Sequence, residues 1–424
     1  MKKLLFLLVP CIVFAQSFMI SNIPIPKMYI QDLDPYTCND NCMKELLDNG
    51  QIFSFLSHAN KKLADKDLDE ARSINIAVLN LGAANTGAKL KIALLLPYNK
   101  IGKYASTTTN ATFAYLMTKS NSFMLKSYKI DKESIADLQQ AFTQIKSDGF
   151  DYVIAPLTAK GVKNVISLDP DLNIYFPTIN KKDVTSTSPS LVFGGIDYKK
   201  QTQMLLHEAV SPLVIFSDKS QIGKKLALYQ EKEFLHPTVD INDTMSYADE
   251  VSVYSEDTNL TEGKKVLKYF ISRRTTNLER YLKENEDIVN ASFFVNTPII
   301  KTGMILSQLT LYDVNATNIL STQINYDPLL LSMTQYADRK NMIVANSITQ
   351  ENNVLIETNS LLGNDIVYDW INYTTTVGID YFYSLITGED REYTISVSDN
   401  QMMYDIELLR PGISRFFRYT PPQE

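Results

Sequence analysis

Hydrophobic and polar positions along this chain follow two rhythms in turn. Ahead of residue 90 the apolar residues recur at helical intervals. Leu46, Leu47, Ile52, Phe53 and Leu56 form one series, interrupted by Gly50. Leu68, Ile76 and Leu79 form a second, on a helix from about Lys66 to Leu81 whose early Asp69 and Glu70 suit the helix dipole. From Lys91 the pattern changes. "KIALLLP" is a continuous apolar run of the kind buried on both faces of a parallel sheet, and "FMLKSYKI" reads as a second strand. "KESIADLQQAFTQIKSDG" then puts Ile135, Leu138, Phe142 and Ile145 on one side of a helix closed by Gly149.

The alternation continues through strand "FDYVIAPL", helix "TAKGVKNVISL" and strand "NIYFPTIN". It pauses at "LVFGGID", residues 191–197, and resumes with helix "YKKQTQMLLHEAV", strand "PLVIFS" and helix "SQIGKKLALYQEKEFL". Strand "DEVSVYS", a charged helix near 264–286, strand "ASFFVNT", helix "IIKTGMILSQLTLY" and strand "NMIVANSI" follow. A long helix, "DIVYDWINYTTTVGIDYFYSLITG", precedes a strand-like last segment from Thr394. Repeated β–α–β predicts an α/β chain with open parallel sheets flanked by helices and right-handed crossovers. Two stretches of similar size predict two lobes with a cleft between them. The predicted organisation is a leader of residues 16–90, extended and then helical, with a boundary at "GAANTGA", and a two-lobed domain over 91–424. The lobes exchange near 191–197 and again in the C-terminal third.

The first fifteen residues, "MKKLLFLLVPCIVFA", have a basic start, a short apolar centre and small residues at Val13 and Ala15 before Gln16. This is a signal-peptidase pattern, which predicts export to the periplasm and cleavage between Ala15 and Gln16. Cys11 follows Pro10, where a lipoprotein cysteine wants a small residue, so lipid anchoring is not expected. No later run approaches the twenty apolar residues of a membrane span, and no integral span is expected. Export gives meaning to Cys38 and Cys42, which pair as a small structural disulfide in an oxidising compartment. A metal would need further ligands, and His58, His207 and His236 are scattered, so no metal is expected.

Composition adds limits. With 424 residues, 45% hydrophobic and 21% charged, the chain is globular and long enough for two or three domains. Its formal charge is −7 with both signs interspersed, and the absence of a basic patch argues against nucleic acid as a partner. No G-x-S-x-G, H-E-x-x-H, Walker or G-x-G-x-x-G pattern occurs, so neither an enzyme nor a cofactor is expected.

Three segments carry a family resemblance: "KIALLLP", "DGFDYVIAPLTAKGVKNV" and "IYFPTIN", with "FSDKSQIGKKL" opening the second lobe. Over about 91–418 the chain resembles the type I periplasmic-binding fold, and within it the LpoA/LppC-like branch of penicillin-binding-protein activators. The resemblance implies a non-catalytic accessory or scaffold protein of the cell envelope. Its implied partner is another envelope protein, such as a peptidoglycan synthase or an envelope machine. The leader module and the missing lipobox depart from that branch, so its anchoring and its particular partner do not carry over. The wider fold implies the alternative, a periplasmic receptor for a small ligand such as an amino acid or peptide.

For the receptor reading, "PYNKIGKYASTTT" is a glycine-bearing loop beyond the first strand, where backbone amides attract anions. Tyr98, Lys100, Ser106, Thr107 and Thr108 would face the cleft there, with Thr158 after the third strand and Ser217 and Asp218 in the second lobe. Against this, loop hydroxyls ahead of helices usually cap them. For the scaffold reading, Phe53, Phe55 and Leu56 beside exposed acids would offer a helix face to a partner. The export pattern predicts a mature N-terminus at Gln16. Intact-mass spectrometry of the exported chain checks this, and a lipid-modified chain starting at Cys11 would contradict it.

Overall fold

The computed structural model describes residues 30, 33–34, 36–79, 90–119, 121–186, 188–237 and 263–421. The export segment with Cys11, Ala15 and Gln16, the boundary "GAANTGA" and the strand "DEVSVYS" lie outside them. Contacts divide the chain into two compact units, Met1–Ala88 and Lys89–Glu424.

The first unit is built from α1 (Asp40–Asp48), α2 (Ile52–His58) and α3 (Lys66–Val78). The Asn39 side chain caps α1 by accepting from the Cys42 N–H at 3.0 Å, and a Cys38–Cys42 disulfide spans the same turn. Met43, Phe55, Leu56, Ala59 and Leu68 form its core. The helix face expected to be offered outward is therefore mostly folded inward. Phe55 and Leu56 are buried, and of those three residues only Phe53 is exposed. Gly50, at φ +70°, breaks the first helix and resets its phase, so the apolar stripe cannot run on from α1 into α2.

The second unit alternates strongly in its first half. It runs β1 (Leu90–Leu96), α4 (Tyr98–Ile101), α5 (Tyr104–Met117), β2 (Phe123–Lys129), α6 (Ile135–Ser147) and β3 (Tyr152–Ile154). Next come α7 (Ala159–Leu168), β4 (Asn173–Phe176), β5 (Leu191–Phe193), α8 (Tyr198–Leu206), β6 (Leu213–Asp218) and α9 (Gln221–Leu235). The chain continues through β7 (Val266–Ile271), α10 (Glu279–Leu282), β8 (Ser292–Asn296), α11 (Ile299–Leu311) and β9 (Asn318–Ser321). Then follow α12 (Pro328–Met333), α13 (Tyr336–Arg339), β10 (Met342–Asn346), α14 (Asn353–Leu361) and α15 (Trp370–Thr387). Four short strands close the chain: β11 (Ser396–Ser398), β12 (Gln401–Met403), β13 (Glu407–Pro411) and β14 (Phe416–Arg418).

Two seven-stranded sheets result, ordered β11-β12-β5-β4-β3-β1-β2 and β14-β13-β10-β9-β8-β6-β7. Each contains a doubly wound parallel core of the 2-1-3-4-5 type, which is the two-lobed periplasmic-binding-like architecture. The chain passes from the first sheet to the second after β5, returns after β10 to lay α15 against α5, β1 and β3, and crosses again between β12 and β13. The sheets are not wholly parallel as expected. β11 with β12, and β13 with β10 and β14, pair antiparallel. β11 with β12, and β13 with β14, join through short links, which only antiparallel neighbours permit. Asp399 and Asn400, at φ 48° and 60°, supply the two-residue turn between β11 and β12.

The expected charged helix near 264–286 is instead the strand β7, a loop and the single helical turn α10. β7 sits at the sheet edge, Ile271 buried and its other side chains half-buried or exposed, with Lys268 reaching out to Glu231. On the amphipathic α6, Leu138, Phe142 and Ile145 are buried, whereas Ile135 in its first turn is exposed.

In the first lobe one tyrosine locks the layers together. Tyr175 on β4 is fully buried, and its hydroxyl donates to the Thr374 carbonyl of α15 at 2.8 Å. Its ring fills the space of two missing side chains. A Cβ at Gly378 would lie 2.1 Å from a ring carbon, and one at Gly194 would lie 1.8 Å from the hydroxyl. Close by, the fully buried Asp380 accepts from Tyr115 of α5 at 2.9 Å, from Arg391 Nε at 3.2 Å and from the Glu392 N–H at 2.8 Å. Gly378→Ala should therefore lower stability by about 1–3 kcal/mol through overpacking. Gly303→Ala on α11, where the nearest atom to the added Cβ is at 3.4 Å, should be neutral or stabilising by up to about 1 kcal/mol. Denaturant unfolding of the two variants checks this, and equal effects would contradict it.

Candidate functional site

A doubly wound sheet offers a crevice beyond the carboxyl ends of its strands, where the strand order reverses. In the first lobe that point lies between β1 and β3, and in the second between β6 and β8. Both crevice edges are occupied by the protein itself.

At the first, the expected loop is helical. Tyr98 and Lys100 lie on the single turn α4, Tyr98 half-buried and Lys100 exposed, and Ser106, Thr107 and Thr108 lie in α5. The threonine run misleads because β-branched residues disfavour helices. Here the hydroxyls bond back along the helix. Ser106 and Thr107 donate to the Lys103 carbonyl at 2.8 and 3.1 Å, and Thr109 and Thr112 donate four residues back at 2.9 Å each. Thr108 is fully buried within α5. The hydroxyl cluster thus does not converge on one point.

Thr158 caps α7, accepting from the Gly161 N–H at 3.4 Å. The terminus of α7 already holds an anion. The nearly buried Glu133 carboxylate takes the Thr158 N–H at 2.8 Å and the Thr158 hydroxyl, and a Cβ at Gly161 would come within 2.7 Å of its carbon. An internal carboxylate sits where a helix N-terminus would attract an external one.

The second lobe ends its strands in buried amides. Asn296, last in β8, exchanges two bonds with Gln230 of α9, at 2.6 and 3.0 Å. Gln201 of α8 donates to Ser347 Oγ at 2.7 Å and accepts from the Gln323 N–H at 3.0 Å. Gln323 in turn donates to Asn346 at 3.0 Å and accepts from the Ser347 N–H at 2.6 Å. All of these residues are at least 97% buried. Ser217 is buried in β6 beside Asn296 of β8, and Asp218 accepts from the Ser220 N–H at 3.1 Å. None of these amides was singled out from the sequence. The available signal was a repeat: β8 and β10 end alike, in "VNT" and "ANS".

Side chains also bridge the lobes. Tyr198, at the start of α8, packs edge-on against Trp370 of α15 at 6.2 Å, and burial pushes its hydroxyl pKa above the ordinary 10. Tyr368 lies against Tyr326 at 5.0 Å, and Lys225 of α9 pairs with Asp183. Between Asn180, Ile196, Tyr198, Ile222 and Leu226 a cavity of about 60 Å³ remains. Small-molecule sites run to several hundred Å³. Among the described residues no group of His, Cys, Asp and Glu could hold a metal ion, and no helix is long and apolar enough to cross a membrane.

No family model and no curated protein matches the sequence. Solved structures do match. A leucine-binding protein LivK from Thermotoga maritima aligns at TM-score 0.52 and 10% identity, over 78% of this chain and 98% of its own. A putative branched-chain amino acid ABC transporter protein from Rhodospirillum rubrum aligns at TM-score 0.53 and 10% identity, over 78% and 99%. Full-length LpoA from Haemophilus influenzae aligns at TM-score 0.50 and 11% identity, over 90% and 72%. The chain has the type I periplasmic-binding fold.

Glu133→Ala removes a buried anion from a helix terminus and two donors' partner. It should cost about 1–3 kcal/mol, whereas Thr107→Ala should change stability by well under 1 kcal/mol. Thermal unfolding of both checks this, and an unaltered Glu133→Ala midpoint would contradict the assignment.

Proposed function

We propose that this chain is an exported, non-catalytic binding protein of the bacterial cell envelope that engages another envelope protein, as an accessory or scaffold of the LpoA kind. One observation carries the reading. Polar groups at both crevice edges are bonded within the chain, Thr158 to Glu133 at α7 in the first lobe and the strand-end amides to one another in the second, while the buried Thr108 and Thr322 hydroxyls have no hydrogen-bond partner. A solute receptor needs such groups open and converging on a ligand. A ligand recruiting these groups would have to break the buried hydrogen bonds they already make within each lobe, at about 1–3 kcal/mol for each group left unpaired. The expected site residues Tyr98, Lys100, Ser106, Thr107, Thr108, Thr158, Ser217 and Asp218 act on this reading as helix, cap and strand-end residues. A large protein surface can supply binding energy through a few anchors without opening the crevice.

Ligand screening by thermal shift separates this from the receptor reading, since a ligand at a hundred times its Kd adds about 2.7 kcal/mol to the native state. Amino acids, short peptides and muropeptides at millimolar concentration should leave the midpoint unchanged, and cross-linking in intact envelopes should join the chain to another envelope protein. A saturable rise with one of these small ligands, and no cross-linked protein, would establish the receptor reading in its place.

A further inference from the structure

The C-terminal hairpin concentrates exposed arginine and apolar side chains in an otherwise acidic chain. Arg410, Arg415 and Arg418 are exposed on β13, the turn and β14. The ion pairs formed among the described residues include none of the three. Instead two of them lie over rings: Arg415 over Phe417 and Arg410 over Tyr419, each at 4.8 Å. Arg410 is also the cross-strand partner of Phe417, so both sit on one face. At the turn Ile413 is 77% exposed, and beside it Phe417 is 47% exposed.

The tip is held rigidly. The buried Arg339 donates to the Gly412 carbonyl at 2.9 Å, to the Ile413 carbonyl at 3.1 Å and to the Thr334 hydroxyl at 3.0 Å. That fixes the turn beside the α12–α13 junction, where Met333 and Tyr336 are exposed as well. Ile413 thus stands at the turn, Phe417 and Arg410 share one face with Arg415 over the Phe417 ring, and Arg418 lies across from Leu409 on the other face.

We infer that the β13–β14 hairpin and the α12–α13 junction form a docking surface for an anionic phospholipid membrane. Arginine recognises phosphate through a planar fork of donors, and exposed apolar and aromatic side chains insert at the headgroup level. A short edge strand is commonly guarded by charge, which accounts for an arginine on β14 but not for the apolar groups around it. A partner protein adding a strand would find only the three residues of β14 to pair with. The inference is independent of which protein the chain engages.

The test is co-sedimentation of the full chain with vesicles of phosphatidylglycerol and phosphatidylcholine, and with vesicles of phosphatidylcholine alone. Wild type should bind the anionic vesicles and not the neutral ones, and should be released at high salt. Each arginine near such a surface is worth about 1 kcal/mol, so Arg410→Gln with Arg415→Gln should weaken binding about 30-fold. Ile413→Ser should weaken it too. The control Arg273→Gln with Arg274→Gln makes the same charge change at exposed positions elsewhere and should bind as wild type. Equal binding to both vesicles, no binding to either, or equal losses in the hairpin and control variants would each overturn the inference. So would a hairpin variant that keeps vesicle binding and instead loses a cross-link to an envelope protein.

Discussion

A buried amide left without a partner costs about 1–3 kcal/mol, and the second lobe ends its strands in a row of them. Asn296, Gln323 and Asn346 stand where an open doubly wound sheet would present polar groups to a ligand. Each finds its partners within the chain: Asn296 in Gln230, Gln323 in Gln201, Asn346 and Ser347, and Asn346 in Gln323 and the Ile348 backbone. Gln201 lies on the helix that follows the first passage between the sheets, and Ser347 begins the second passage. The same bonds that satisfy the strand ends therefore also fasten two of the three chain crossings. An arrangement in which the amides faced solvent would leave those crossings less constrained.

The first lobe solves the same problem with charge. Glu133 supplies an anion to the α7 terminus, and Asp380 gathers a tyrosine hydroxyl, an arginine and a backbone N–H between α5, α15 and the segment after it. Tyr175, seated over Gly194 and Gly378, then sets how closely α15 approaches the sheet. Long-range contacts of this kind fix layers that the parallel strands alone would leave free to slide. Tyr198 against Trp370 and Tyr368 against Tyr326 extend the packing across the crevice itself.

Much of this architecture was legible in the sequence because parallel strands buried on both faces write themselves as apolar runs. "KIALLLP", "PLVIFS" and "NMIVANSI" became β1, β6 and β10. The edges were less legible. β7 carries Lys268 and follows Lys264 and Lys265, so it reads as a charged helix until a neighbouring strand is known. α5 carries a threonine run that reads as a loop, and only back-bonding to preceding carbonyls makes it helical. The site was least legible of all. Whether a hydroxyl or amide at a strand end meets a ligand or its own chain depends on contacts such as Gln230 with Asn296, 66 residues apart. Periodicity carries no record of such pairings.

The central claim is that the interlobe contacts of Tyr198 with Trp370, Tyr368 with Tyr326 and Lys225 with Asp183 hold the two lobes in one arrangement instead of letting them close on a solute. The most direct measurement is the distance between spin labels on Lys160→Cys of α7 and Lys224→Cys of α9, both exposed positions, by pulsed electron resonance. The account predicts a single narrow distance, unchanged when amino acids, peptides or muropeptides are added at millimolar concentration. A distribution with two populations, shifted toward the shorter distance by one of those solutes, would contradict it.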